Sequence, residues 1–176
     1  MGLEEKIRTV PHFPKEGIMF KDITTLLQDA SAFRKAIDDL VEYFIKKDLH
    51  FDKVVSTEAR GFIFGAVLAY EFHAGFVPLR KPGKLPAETI KQEFETEYST
   101  DAFEIHKDAI SKGESVLICD DVIATGGTIK AAIDLVEKLG GEVNGITSLI
   151  ELEFLKGRDK AKGYDIFSLI KYDKEE

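Results

Sequence analysis

The sequence predicts an α/β fold in which a central, mainly parallel sheet is flanked by helices. Two observations carry this expectation. Twice along the chain a short apolar strand, a polar glycine-bearing turn and a helical run follow one another and lead into a second strand. That is the pattern of a parallel crossover unit. The strands are apolar runs, as strands covered by helices on both faces of a sheet require. With 176 residues, 44% hydrophobic and 32% charged, the chain fits one ordinary globular domain.

The first thirty residues read as irregular, because Pro11, Pro14 and Gly17 interrupt any helix. From Ser31 an amphipathic helix is expected. Phe33, Ala36, Ile37, Leu40, Val41, Phe44 and Ile45 fall on one face of a 3.6-residue period, and that face is assigned to the core. Lys53–Thr57 reads as a strand, Glu58–Gly61 as a polar turn, and Phe62, Val67, Leu68 and Phe72 mark a helix. Gly75–Leu79 is the next strand, with Pro78 placing it at a sheet edge or strand end. The pattern repeats with a strand at Val116–Cys119, a polar turn over Asp120–Gly127, and a helix marked by Ile129, Ala132, Ile133, Val136 and Leu139. Gly140 and Gly141 stop that helix. Val143–Leu152 and Ile166–Ile170 supply two further strands.

No repeat or interdomain linker interrupts residues 1–176, so a single domain is expected. Between the two halves lies Lys81–Asp101, dense in charge and weak in period. Ile90, Phe94 and Tyr98 are spaced by four as on a helix, yet Glu93–Tyr98 also alternates as a strand does. A segment this long inside a compact domain is a functional lid or a disordered loop, and the lid is favoured.

Lysine and arginine total 24 against 32 acidic residues, a net charge of -8. That balance argues against a general nucleic-acid binder, whose affinity comes from neutralising phosphates. It leaves room for a small anion in a locally basic pocket. The lone cysteine, Cys119, excludes internal disulfides and cysteine metal cages, and its apolar setting reads as a buried strand position in a reducing compartment. The acidic start, Met1–Lys6, does not read as a signal peptide. Nowhere do ~18 apolar residues run together, so no membrane span is expected and the location is read as cytoplasmic.

The most informative string runs from Val116 to Thr128, leaving the carboxyl end of a strand and entering a helix. Ligands of open α/β sheets bind at such ends. Gly126 and Gly127 allow backbone amides to turn inward, and Thr125 and Thr128 add hydroxyl donors. With the helix N-terminus they form an anion cradle suited to a phosphate. Asp120 and Asp121, just upstream, would repel a polyphosphate laid on them but accept hydrogen bonds from sugar hydroxyls. A phosphorylated ribose suits both parts; the plainer reading is a helix N-cap with acidic residues near its dipole. Nucleotide-binding glycine loops, hydrolase elbows and paired zinc histidines are absent, and His12, His50, His73 and His106 lack metal-ligand spacing.

Asp120–Thr128 resembles the phosphoribosyl pyrophosphate signature of the type I phosphoribosyltransferase family. Four further segments resemble that family's adenine-using branch, in its order and spacing: Phe13–Thr24, Glu58–Phe62, Arg80–Pro86, and Glu97 with Tyr98. The resemblance covers nearly the whole chain. It implies transfer of the 5-phosphoribosyl group from phosphoribosyl pyrophosphate to adenine, giving AMP and pyrophosphate, with Mg2+ held mainly by the substrate. By the same resemblance Ala124, Thr125, Gly126, Gly127 and Thr128 hold the 5-phosphate, and Asp120 and Asp121 the ribose hydroxyls. Glu58, Ala59, Arg60 and Gly61 form the pyrophosphate loop, with Lys81 and Lys84 as nearby cations, and Arg60 faces the leaving group. Ile18, Met19, Phe20 and Lys21 belong to a hood (about residues 10–27) over the base, Phe20 stacking on the ring, with Leu152 as a second wall. Glu97 and Tyr98 sit at the tip of a lid (about residues 81–101), where Glu97 could take a proton from the purine; the plainer reading is a solvated lid residue. A homodimer is implied by resemblance alone.

Two departures touch the hood: Glu16 stands where the family often has proline, and Lys21 where it often has arginine. Two other functions remain open at this point. One is a phosphoribosyltransferase for a 6-oxopurine, whose hood would have to donate where adenine's amino group needs an acceptor. The other is a non-catalytic sensor of phosphoribosyl pyrophosphate, although no basic DNA-binding segment precedes the domain.

Overall fold

The computed structural model describes residues 2–96 and 99–175. Near the N-terminus β1 (Arg8–Pro11) pairs antiparallel with β2 (Met19–Asp22), Val10 opposite Phe20. The expected irregular segment is therefore half hairpin. Pro14 and Gly17, which break a helix, sit in the connection between its strands, where they break nothing. Short α1 (Thr24–Gln28) leads into α2 (Ala30–Lys46). The cap of α2 is Asp29 rather than Ser31: its carboxylate accepts from the Ser31 and Ala32 amides at 3.1 and 3.0 Å. Ala36, Ile37, Leu40 and Phe44 are buried as expected, but Ile45 is 62% exposed. It lies at the far edge of the stripe, in the last turn of the helix.

β3 (Lys53–Thr57), α3 (Gly61–Glu71) and β4 (Gly75–Leu79) form the first crossover unit, with β4 parallel to β3. The segment between the halves is a second antiparallel hairpin, β5 (Thr89–Glu95) with β6 (Thr100–His106). A spacing of four is also a multiple of the two-residue strand period, so Ile90 and Phe94 share a face in either reading. Burial decides between them: Phe94, Phe103 and Ile105 pack into the core against α4 (Gly127–Lys138).

β7 (Ser115–Ile123), β8 (Glu142–Leu152) and β9 (Ile166–Tyr172) complete a five-stranded parallel sheet in the order β4-β3-β7-β8-β9. β4 is an edge strand, where Pro78 is tolerated. β7 runs four residues beyond the expected Cys119, because Asp120 pairs with Ser148, Val122 with Ile150 and Ile123 with Glu151. The polar turn is thus shorter than the sequence indicates. One face of the sheet is covered by α4 and the β5–β6 hairpin, the other by α2 and α3. Chain order reverses between β3 and β7, so the loops leaving their carboxyl ends splay apart and open a crevice. Among the described residues no helix is long and apolar enough to cross a membrane.

Candidate active site

A cleft of about 560 Å³ opens at this reversal, and residues from both halves of the chain line it. Its floor is the β7–α4 connection. Gly126 takes φ +82°, a left-handed conformation that favours glycine, and directly precedes α4. A Cβ there would stand 2.2 Å from the Gly157 carbonyl oxygen. On Gly127 a Cβ would stand 2.6 Å from that of Glu95. The loop is therefore gripped between two backbones, with Ala124, Thr125, Gly126, Gly127 and Thr128 all facing the cleft beside the N-terminus of α4. Backbone amides in this setting attract an anion.

The acidic pair sits at the strand end just before it, each aspartate only 6% exposed. Asp120 accepts the Asp121 amide at 2.8 Å and the Thr128 hydroxyl at 3.3 Å. Burial, and then the neighbouring Asp121 charge, push the Asp120 carboxyl well above the usual carboxylate range. Asp121 receives the Nε of Arg60, whose guanidinium lies 5.4 Å from the Phe20 ring centre. Beneath them Cys119 is buried, and burial pushes its thiol up, so it is not a reactive group.

The expected pyrophosphate loop divides in two. Arg60 faces the cleft, as does Glu58. The Glu58 carboxylate, however, is fully engaged in protein contacts: it accepts Arg80 Nε at 3.1 Å, the Lys81 amide at 2.6 Å and Lys84 Nζ at 2.8 Å. Burial alone would raise its pKa, but Lys84, the Lys81 amide and Arg80 outweigh it and bring the value down to about 2. Glu58 thus anchors the segment that leads to the β5–β6 hairpin. Ala59 and Gly61 are not among the described residues lining the cleft; a Cβ on Gly61 would lie 2.9 Å from Thr57 Oγ1, so it allows α3 to approach β3. Lys84 also stands off the wall, on Glu58. Lys81 lines the cleft, with Nζ bonded to Asp101 and 5.3 Å from the Phe103 ring centre.

The apolar end is built from β2 and the end of β8. Ile18, Met19, Phe20 and Lys21 line it, opposite Leu152. Phe13 braces Phe20 edge-on at 5.1 Å, and Lys21 donates to Thr9 Oγ1 at 3.0 Å while lying 4.2 Å from the Tyr172 ring centre. Glu97 and Tyr98 lie outside the described residues. Their neighbours Phe94, Glu95 and Thr96 line the cleft, and the Thr96 amide bonds the Ser99 carbonyl at 2.7 Å.

Several lining residues were not anticipated: Asp101, Phe103, Val122, Phe154 and Leu155. Phe154 and Leu155 carried a signal, as apolar residues directly after the carboxyl end of a strand. Asp101 carried none, since its partner Lys81 is twenty residues away.

The phosphoribosyl transferase domain family matches residues 24–175. The adenine phosphoribosyltransferase of Clostridium perfringens is 56% identical over 173 residues, covering 98% of this chain and 99% of its own. The crystal structure of adenine phosphoribosyltransferase from Thermoanaerobacter pseudethanolicus matches with a TM-score of 0.92 at 57% identity, over 97% of this chain and 99% of that one. The Saccharomyces cerevisiae enzyme, solved with an imino-altritol bisphosphate and adenine, matches at 0.90 and 42% identity, over 95% and 96%. A glycine-gripped anion cradle at the reversal of a parallel sheet fits this company, and the chain belongs to the phosphoribosyl transferase family. Within it, the chain falls among the adenine phosphoribosyltransferases, as its resemblance had indicated.

Proposed function

We propose that the cleft transfers the 5-phosphoribosyl group of phosphoribosyl pyrophosphate to adenine, releasing pyrophosphate and leaving AMP. The observation that carries this reading is the set of chemistries gathered in one cleft. An amide-and-hydroxyl cradle (Ala124–Thr128), a buried acidic pair (Asp120, Asp121), a cationic wall (Arg60, Lys81) and an apolar slot (Ile18–Lys21, Leu152) line one volume. These suit, respectively, a terminal phosphate, ribose hydroxyls, a diphosphate and a flat base.

Breaking the bond to pyrophosphate develops positive charge on the ribose ring and negative charge on the departing oxygens. Arg60 and Lys81, once released from their carboxylate partners, stabilise the latter. Lys84 and Glu58 hold the loop that carries Lys81. The reacting centre must be kept from water, and the β5–β6 hairpin is placed to serve as the lid, with its strands already packed against α4. Glu97, which follows β5 in the sequence, is assigned to accept the purine proton and Tyr98 to help seal the site; both assignments rest on the resemblance. Phe20 is the ring that stacks on the base.

Mg2+ keeps several waters and is held by one or two carboxylates together with substrate phosphates. Here the ion is read as held mainly by the substrate, with Asp120 and Asp121 the buried carboxylates that the cleft would offer beside it. Bound with the diphosphate, the ion supplies charge neutralisation on the leaving group. A cytoplasmic homodimer completes the reading. Exposed Ile63, Tyr70 and Phe76, on α3 and β4, support an association face.

The test is pyrophosphate release with Mg2+ and phosphoribosyl pyrophosphate while adenine, guanine, hypoxanthine and xanthine are added singly. Turnover with adenine alone is expected. Turnover with an oxopurine instead would overturn the base assignment and keep the ribose-phosphate site. Tight binding of phosphoribosyl pyrophosphate with no turnover on any base would point to a sensor.

A further inference from the structure

Beside the cleft lies a charged pair to which the proposed reaction gives no task. Glu151, near the end of β8, is 3% exposed. It accepts Arg158 Nε at 2.9 Å and Nη2 at 2.6 Å, while Nη1 of the same guanidinium donates to the Ile166 carbonyl at 3.1 Å. A planar fork tied at three points to two neighbouring strands has a fixed direction. Burial pushes the Glu151 carboxyl up, but Arg158 and Ser168 bonds outweigh it and hold it below the usual range, so the pair is ionised. With its arginine 40% exposed, such a pair adds little net stability. Its clearer use is geometric.

The fork fixes the segment that starts at Gly157. Lys156 takes φ +53°, and the turn brings Gly157 against the β7–α4 loop that forms the floor of the cleft. A Cβ on Gly157 would stand 2.2 Å from the Ala124 carbonyl oxygen and 2.8 Å from the Gly126 nitrogen. The reverse approach, from Gly126 to the Gly157 carbonyl, is equally tight at 2.2 Å. Two backbones meet with no side chain between them. Neither Glu151 nor Arg158 is among the described residues that line the cleft.

We propose that Arg158 and Glu151 are positioning residues for the anion cradle, their bidentate pair holding the Gly157 backbone against Ala124–Gly126 so that the loop amides stay aimed at a terminal phosphate. The inference rests on the reading of Ala124–Thr128 as the 5-phosphate cradle. Without the fork, the Gly157 segment lifts, the loop gains room, and the amides must reorganise when phosphate arrives.

The experiment is isothermal titration of the full chain with two probes, ribose 5-phosphate and magnesium pyrophosphate. Thr128→Val serves as the control for the cradle itself. Arg158→Met is expected to weaken ribose 5-phosphate roughly 10- to 100-fold and leave pyrophosphate unchanged. Arg158→Lys, which keeps the charge without the fork, is expected to recover only part of the loss. Gly157→Ala, which keeps the ion pair but forces the backbones apart, is expected to copy Arg158→Met. It also carries the test if Arg158→Met does not fold. Equal losses for both probes, or full recovery with lysine, would overturn the positioning role. If Thr128→Val weakens ribose 5-phosphate and the Arg158 and Gly157 variants do not, the positioning role fails and the cradle stands. If Thr128→Val changes nothing, the cradle reading itself fails and takes the inference with it.

Discussion

Arg60 and Asp121 are bonded to each other across the floor of the cleft, guanidinium Nε to carboxylate. In the proposed reaction they serve different parts of one substrate, Arg60 the diphosphate and Asp121 the ribose. Lys81 repeats the pattern with Asp101, and Lys84 with Glu58. Each of these cations is thus paired with a carboxylate of the chain, and a diphosphate has to exchange with Asp121 and Asp101 to reach Arg60 and Lys81.

Asp121→Asn removes the competitor for Arg60. An ion pair whose arginine is half exposed is worth ~0.2–1 kcal/mol, so pyrophosphate offered without Mg2+ should bind roughly 1.4- to 5-fold tighter. Turnover should fall, because the ribose loses an ionised acceptor. Titration and steady-state assays on one preparation check both effects; an unaltered pyrophosphate affinity removes the exchange from the account.

Glu58 sets an acid limb on stability. Its pKa is lowered from 4.5 to about 2 in the folded chain. A depressed carboxylate contributes stability above its unfolded value that is lost as pH falls through the folded one. The melting temperature should therefore drop between pH 4.5 and about 2, and Glu58→Gln should flatten that part of the profile while lowering stability at neutral pH. Parallel profiles for the two proteins would show that Glu58 is not the anchor.

Gly127→Ala places a methyl 2.6 Å from the Glu95 carbonyl oxygen, at the end of β5. The atom it would strike is backbone, so relief requires the hairpin to move off α4. A loss of about 1–3 kcal/mol is expected from overpacking, together with lower turnover because the hairpin no longer seals the cleft. Thermal melts and kcat measure the two consequences. Full activity with an unchanged melt would mean that the contact relaxes locally.

Glu97→Gln keeps the size of the side chain and removes its basicity. If Glu97 accepts the purine proton, kcat falls by about 10²-fold or more while the affinity for phosphoribosyl pyrophosphate holds. Unchanged turnover would remove Glu97 from the mechanism.

β3 and β4 were legible to the residue, because each is a short apolar run bounded by polar or glycine-bearing turns. That Ala124–Thr128 line the cleft was legible because glycines and threonines between a strand and a helix need no distant partner to mark a turn. β7 was cut short at Cys119, since Asp120 and Asp121 look like turn residues until β8 is laid beside them. The β1–β2 hairpin was hidden for the same reason: its order comes from cross-strand pairs such as Val10 with Phe20. Glu58 could be placed at the site by its position, but its three donors come from 22 to 26 residues away.

By itself the sequence determined the parallel crossovers, the strand end at which the cleft opens, and the residue types of its glycine turn and acidic pair. All follow from local period, local turn chemistry and nearest neighbours. Tertiary structure decided which cation meets which carboxylate, which backbone lies on Gly126 and Gly127, and that the charged central segment is a hairpin rather than a helix. Those are contacts between segments far apart in the chain, and hydrogen bonding and steric exclusion select them only once the sheet has brought the segments together.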